Sequence, residues 1–121
     1  MSIYSKLNEI QSKLEVPKAQ TNAFGKYKYR SAEDILAALK PHLELHGLVL
    51  VITDEILLIG TRYYVKATVR LSDGTESIET TALAREPEAK KGADDSQVTG
   101  ATSSYARKYA LNGMFAIDDT K

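Results

Sequence analysis

Ile3, Leu7, Ile10 and Leu14 recur at three- and four-residue spacing. That stripe predicts an amphipathic helix over 2–14, with Ser2 as its cap. Val16-Pro17 should end it, because a residue before proline is pushed toward extended backbone. Over 25–30 the period changes to two, with Tyr27 and Tyr29 on one side and Lys26, Lys28 and Arg30 on the other. This pattern predicts a strand or strand-like arm. A second helix starts at Ser31, which with Asp34 makes a capping box with a shortened acid. Ile35, Leu36, Leu39 and Leu43 form its buried stripe; Pro41 is expected to kink or split it, and Gly47 to cap its end. Three runs rich in strand formers follow, at 48–58, 62–71 and 76–84. The turn between the last two contains Asp73-Gly74, a strong hairpin signal, so the three read as an antiparallel meander. In the middle run Tyr63, Val65, Ala67, Val69 and Leu71 read as the core face, and Tyr64, Lys66, Thr68 and Arg70 as the other.

The charged stretch 85–95 is expected to be a mobile connection. A helix is predicted over 96–111, with Asn112-Gly113 as its stop, so that the helical element occupies 96–112. Val98, Thr102, Tyr105 and Tyr109 fall on one side of it, and Ser103, Ser104, Arg107 and Lys108 on a neighbouring polar, basic side. Gly100, Ala101, Ala106 and Ala110 leave room for close approach to the helix backbone. Met114, Phe115 and Ile117 form a short apolar tail expected to pack back. The fold class is therefore α+β: helices, a three-stranded antiparallel meander, then a long helix, in a single domain over 1–121.

A chain of 121 residues suits one domain with its own core. It has no cysteine, which removes disulfides, thiolate metal sites and cysteine nucleophiles from consideration. No apolar run reaches membrane-spanning length, and the N-terminus lacks a signal-peptide pattern. A cytoplasmic protein with no membrane association follows. Sixteen Lys and Arg balance sixteen Asp and Glu, so net charge does not favour a nucleic-acid partner. The distribution does, because Lys26, Lys28 and Arg30 cluster with no acid between them, and Arg107 and Lys108 are adjacent.

Other chemistry finds less support. His42 and His46 lie one turn apart but lack a companion acid, and read as solvated groups near a helix C-terminus. Asp94-Asp95 and Asp118-Asp119 are the only basis for a metal-dependent nuclease, and adjacent side chains diverge. No glycine-rich phosphate loop is present, so ATP-driven strand exchange has no support. No cofactor, metal or catalytic residue is expected.

Three segments carry a family resemblance: Phe24-Gly25-Lys26-Tyr27-Lys28-Tyr29, Gly60-Thr61-Arg62-Tyr63-Tyr64 and, above all, Gly100-Ala101-Thr102-Ser103-Ser104-Tyr105-Ala106-Arg107-Lys108-Tyr109-Ala110-Leu111. The chain resembles the ERF (essential recombination function) family of phage single-strand DNA annealing proteins, from about Pro17 onward. The resemblance implies a β-β-β-α core like that of ring-forming annealing proteins, assembly into homo-oligomeric rings or filaments, and ATP-independent annealing of complementary strands in the host cytoplasm. It also implies a phage exonuclease or a host single-strand-binding protein as neighbour. The acidic C-terminal region often found in such proteins is missing here; the ending at Asp118-Asp119-Thr120-Lys121 reads as the end of a trimmed core, with a short natural protein as the alternative.

The candidate DNA contacts are Lys26, Lys28 and Arg30, then Lys66, Arg107 and Lys108, with Ser103 and Ser104 as hydroxyl donors. Tyr27 and Tyr29 stack on bases or pack in the core. Two alternatives stay open: an oligomeric DNA-binding or structural module that does not anneal, and a nuclease.

Overall fold

The computed structural model describes residues 1–87 and 95–121. Most of the connection expected over 85–95 lies outside them, as does Asp94. The elements run in the order α1 (Ile3–Lys13), β1 (Gln20–Asn22), β2 (Tyr27–Tyr29), α2 (Ala32–His46), β3 (Val49–Ile59), β4 (Arg62–Ser72), β5 (Ser77–Arg85) and α3 (Asp95–Phe115). β1 and β2 form a small antiparallel hairpin, and β3-β4-β5 form the predicted antiparallel sheet.

Local chemistry sets the helix boundaries. Ser2 Oγ accepts from the Ser5 amide at 3.1 Å and opens α1. Ser31 and Asp34 form the full capping box: Ser31 Oγ accepts from the Asp34 amide at 3.1 Å, and Asp34 Oδ2 accepts from the Ser31 amide at 2.9 Å. Gly47 closes α2 in the left-handed region, at φ 66°. Pro41 does not split α2. It lies on the exposed side, where its ring does not disturb the core.

Paired residues of an antiparallel sheet point to the same face. Val65, Ala67, Val69 and Leu71 of β4 are buried on the inner face, with Leu50 and Ile52 of β3 and Ile78, Ala82 and Ala84 of β5 beside them. All three helices contribute to that core, through Ile3, Leu7 and Ile10, through Ala32, Ile35 and Leu39, and through Ala106, Ala110, Leu111, Met114 and Phe115. The opposite sheet face is open and carries exposed Val49, Val51, Ile59 and Leu83. Tyr63 departs from its expected burial: at the end of β4, opposite exposed Leu58, it remains half exposed.

α3 differs from expectation in two respects. It does not stop at Asn112-Gly113 but runs on to Phe115. A glycine in a helix interior costs about 1 kcal/mol relative to alanine. Continuing the helix buries Met114 and Phe115 beside Leu111, which outweighs that cost. The turn comes at Ala116, with φ 54°, and the Ile117 amide donates to the Asn112 carbonyl at 3.0 Å. Met114 and Phe115 thus belong to the helix, and only Ile117 packs back as a tail.

The buried row of α3 is also different. It is Val98, Thr102, Ala106 and Ala110, whereas Tyr105 and Tyr109 are 55% and 51% exposed. The small side chains at Ala106 and Ala110 bring the helix backbone close to the sheet, where Thr80 Oγ1 donates to the Ala110 carbonyl at 3.0 Å.

Gly113 has no positive φ, is exposed, and has open space where a Cβ would stand. Gly113→Ala is expected to stabilise the protein by about 0.4–1 kcal/mol. Gly47→Ala is expected to destabilise it by about 1–2 kcal/mol, because the new Cβ would clash in the left-handed conformation. The shift in urea midpoint at unchanged slope measures both.

Candidate nucleic-acid interface

The hairpin β1–β2 lies beside α3, and a groove of about 440 Å³ separates them. Tyr27 and Tyr29 line it from the hairpin; Ser104, Tyr105, Lys108 and Tyr109 line it from the helix. The rings form two pairs. Tyr27 and Tyr29 have centroids 6.2 Å apart and are tilted at 59°; Tyr105 and Tyr109 are 6.5 Å apart and stacked within 15°. Lys108 Nζ stands 5.6 Å from the Tyr109 ring centroid and 5.9 Å from that of Tyr29, so both ring faces stabilise the cation. It is also 3.9 Å from Asp119 Oδ2. A groove with four aromatic rings, two of them beside a lysine, can take flat, apolar groups joined by negative charge.

The structure brings together only some of the predicted contacts. Lys28 is exposed on β2, and Lys26 is exposed in the hairpin turn, not on a strand. Neither makes an ion pair with another described residue. Arg30 leaves the basic strip altogether and is only 4% exposed. Its Nε donates to the Val16 carbonyl at 3.0 Å, and Nη1 donates to the Asp118 carbonyl at 3.2 Å and to Asp119 Oδ1 at 2.9 Å. Nη2 donates to the Lys121 carbonyl. The alternation over 25–30 breaks here because a guanidinium with five donors ties β2 to the segment after α3. Arg30 is a structural clamp, and its side chain is not free to meet phosphate.

The polar side of α3 is divided. Ser104 and Lys108 face the hairpin, whereas Ser103 and Arg107 turn to the edge strand β3. Ser103 Oγ donates to Asp54 Oδ2, Arg107 Nε donates to Asp54 Oδ1 at 3.1 Å, and Arg107 Nη2 donates to Asp54 Oδ2 at 3.1 Å. Asp54 is the inner-face residue opposite Ala67. Lys66 projects from the other face of the sheet, next to Glu55 and Leu83 of the neighbouring strands. The sheet therefore separates it from Arg107 and Lys108, and one groove cannot hold all three.

Tyr105 and Tyr109 are groove residues that sequence analysis placed on one side with Val98 and Thr102 and did not count among the DNA contacts. The length of α3 held the signal. Once the helix continues through Gly113, Leu111, Met114 and Phe115 join Ala106 and Ala110 on the buried side, and the tyrosines fall at its margin. The β1 strand was also unforeseen, since three residues are too few for a period to show.

His46 is largely covered and lies 3.7 Å from Glu9, so it is not solvated as expected. Among the described residues no group of three His, Cys, Asp or Glu could hold a metal ion, and no helix is long and apolar enough to cross a membrane.

A sequence model of the ERF superfamily matches residues 3–121. The chain belongs to the ERF superfamily. It is 64% identical over 118 residues to the essential recombination function protein of Salmonella phage P22, an alignment covering 98% of this chain and 57% of that protein. This ERF chain thus spans little more than half the length of the curated relative it matches. No solved structure matches it.

Burial disfavours the charge of Asp54, but the hydrogen bonds from Arg107 and Ser103 and the Arg107 charge together outweigh it and hold its carboxyl below the usual 3.8. A pKa lowered on folding adds stability above the unfolded value and loses it as pH falls through the folded one. Wild type should therefore exceed Asp54→Asn in stability at neutral pH, and that difference should close as pH drops below 3.8. Urea titrations at stepped pH measure it.

Proposed function

We propose that this ERF chain binds single-stranded DNA and anneals complementary strands in recombination, without ATP and without cutting. The observation that carries this reading is the tyrosine groove between the hairpin and α3, in a chain whose family model covers almost its whole length. The relative of phage P22 is described as an essential recombination function protein, which supports the recombination setting.

The groove suits a passive mechanism. Aromatic side chains accept any base, because every base has a π-face. Lys108, with Lys28 and Lys26 along the hairpin, supplies cations for the phosphates between bases. Phosphate contacts position a strand and carry no sequence information. A strand held by its backbone and by loose stacking keeps its pairing edges open to a complementary strand. Base pairing then supplies the driving force, and the protein reduces the cost of encounter and alignment.

One neutral subunit has few cations to offer, so repetition must supply affinity. A homo-oligomeric ring or filament would provide it. Two features support assembly: the sheet face with its exposed valines, isoleucine and leucine, and the outer edges of β3 and β5, which pair with no strand among the described residues. An exonuclease or a host single-strand-binding protein would act alongside it, the first exposing strands and the second holding them.

ATP-free annealing of two labelled complementary oligonucleotides, with salt titration and light scattering, tests this reading. Acceleration by a large oligomer, lost as salt rises, is the expected result; a large oligomer that neither binds nor anneals would leave a structural module. Within the site, Tyr105→Ala should weaken single-strand binding roughly 5- to 100-fold, in line with the loss of one stacking platform. Lys108→Ala should lower the salt slope by about 0.7, the value for one phosphate contact on a single strand. Lys66→Ala should leave that slope unchanged, since Lys66 projects from the far face of the sheet.

A further inference from the structure

Phe24 stands at the tip of the β1–β2 hairpin and is 100% exposed, more than any other large apolar side chain among the described residues. The fold makes no use of it, yet the tip that presents it is closely built. Asn22 Oδ1 accepts from the amides of Phe24 and Gly25, both at 2.9 Å. The Lys26 amide donates to the Asn22 carbonyl at 2.8 Å, and Asn22 Nδ2 donates to the Tyr27 hydroxyl at 2.9 Å. The Tyr27 ring covers Gly25 so closely that an added Cβ would lie 2.3 Å from Tyr27 Cε1. Lys26 adopts φ 52°, a left-handed conformation that a lysine takes at a cost. One asparagine and one ring therefore fix a turn whose outermost side chain is a bare phenyl group.

The surroundings say what that group meets. No acid lies between Gln20 and Arg30, and Lys26 and Lys28 flank the tip without an ion pair to any described residue. The same hairpin forms one wall of the tyrosine groove through Asn22, Tyr27 and Tyr29. A partner with flat apolar faces and regular negative charge fits a phenyl group followed by two lysines, and nucleic acid has both. We propose that Phe24 is a wedge that inserts between two bases of the strand held in the groove, unstacking one step while Lys26 and Lys28 take the adjoining phosphates. This rests on the single-strand reading given above. It adds a positioning role: the wedge interrupts the stacked run at a fixed point and so sets where bases are presented for pairing.

The chain contains no tryptophan, so Phe24→Trp creates a single-tryptophan reporter at a site where nothing in the fold can be disturbed. Oligothymidylate is the probe, with binding followed independently by anisotropy of a labelled strand. The expected result is saturable quenching of the tryptophan that tracks binding. Phe24→Ala should lower affinity and annealing rate at least ~5-fold, and Phe24→Tyr should restore both. Full binding with unchanged tryptophan emission would overturn the wedge while leaving the single-strand reading intact. An emission shift that depends on protein concentration without DNA would also overturn it, placing Phe24 against a second copy of the chain. Failure of the wild type to bind oligothymidylate would remove the single-strand reading and the wedge with it.

Discussion

Everything functional in this chain depends on how closely α3 approaches the sheet. Ala106 and Ala110 present almost no side chain, so the helix backbone rests against β4 and β5, near enough for Thr80 to donate to a helix carbonyl. That contact fixes the rotation of α3 about its axis. With the small row inward and Leu111, Met114 and Phe115 anchoring the end, Tyr105, Tyr109, Ser104 and Lys108 must face outward. A large side chain at Ala106 or Ala110 would push the helix away and collapse the groove before touching any groove residue. A second constraint sets the other wall. Arg30 follows β2 directly and ties it to the segment after α3, so the hairpin cannot drift from the helix it faces. Removing one partner of a buried charge costs on the order of 3–5 kcal/mol, which makes that clamp a fixed part of the scaffold.

These constraints explain how a neutral chain could offer the nucleic-acid surface proposed above. Four of its arginines are engaged in structure: Arg30 in the clamp, Arg107 with Asp54 at the sheet edge, Arg62 on the Glu86 carbonyl and Arg70 beside Glu79. The hairpin lysines make no ion pair with a described residue, and Lys108 stands beside two rings, 3.9 Å from Asp119. Such a surface suits a ligand that must be held and released. Stacking on tyrosine is indifferent to sequence, and a point charge on a flexible stem does not enforce the bidentate geometry that arginine would. Both would serve the proposed annealing, in which strands are let go once they have paired.

Much of this was legible in the sequence, and the limits follow from physics. The meander showed because β4 alternates cleanly over a buried inner face, and Asp73-Gly74 marks its turn. The cap of α2 showed because Ser31 and Asp34 have only one use at that spacing. The end of α3 did not show, because Asn112-Gly113 is a local stop signal and the burial of Met114 and Phe115 is a tertiary gain that overrides it. Without Met114 and Phe115 in the helix, the spacing alone does not separate the buried Val98 and Thr102 from the exposed tyrosines. Arg30 misled for a similar reason. Period two put it with Lys26 and Lys28, but its partners lie at the far end of the chain and no local pattern marks them. Two of the three segments that carried the family resemblance, 24–29 and 100–111, contribute to the walls of the groove.

The central claim is that a single strand lies between the hairpin and α3. Photocrosslinking to an iodouracil-substituted single strand, with the attachment sites mapped by mass spectrometry, tests it directly. The seven tyrosines are spread over the whole molecule, so each region can report. The account predicts attachment at Tyr27, Tyr29, Tyr105 and Tyr109, with Tyr4, Tyr63 and Tyr64 unmodified. Attachment concentrated at Tyr63 and Tyr64, with the groove tyrosines bare, would contradict it and move the strand to the sheet.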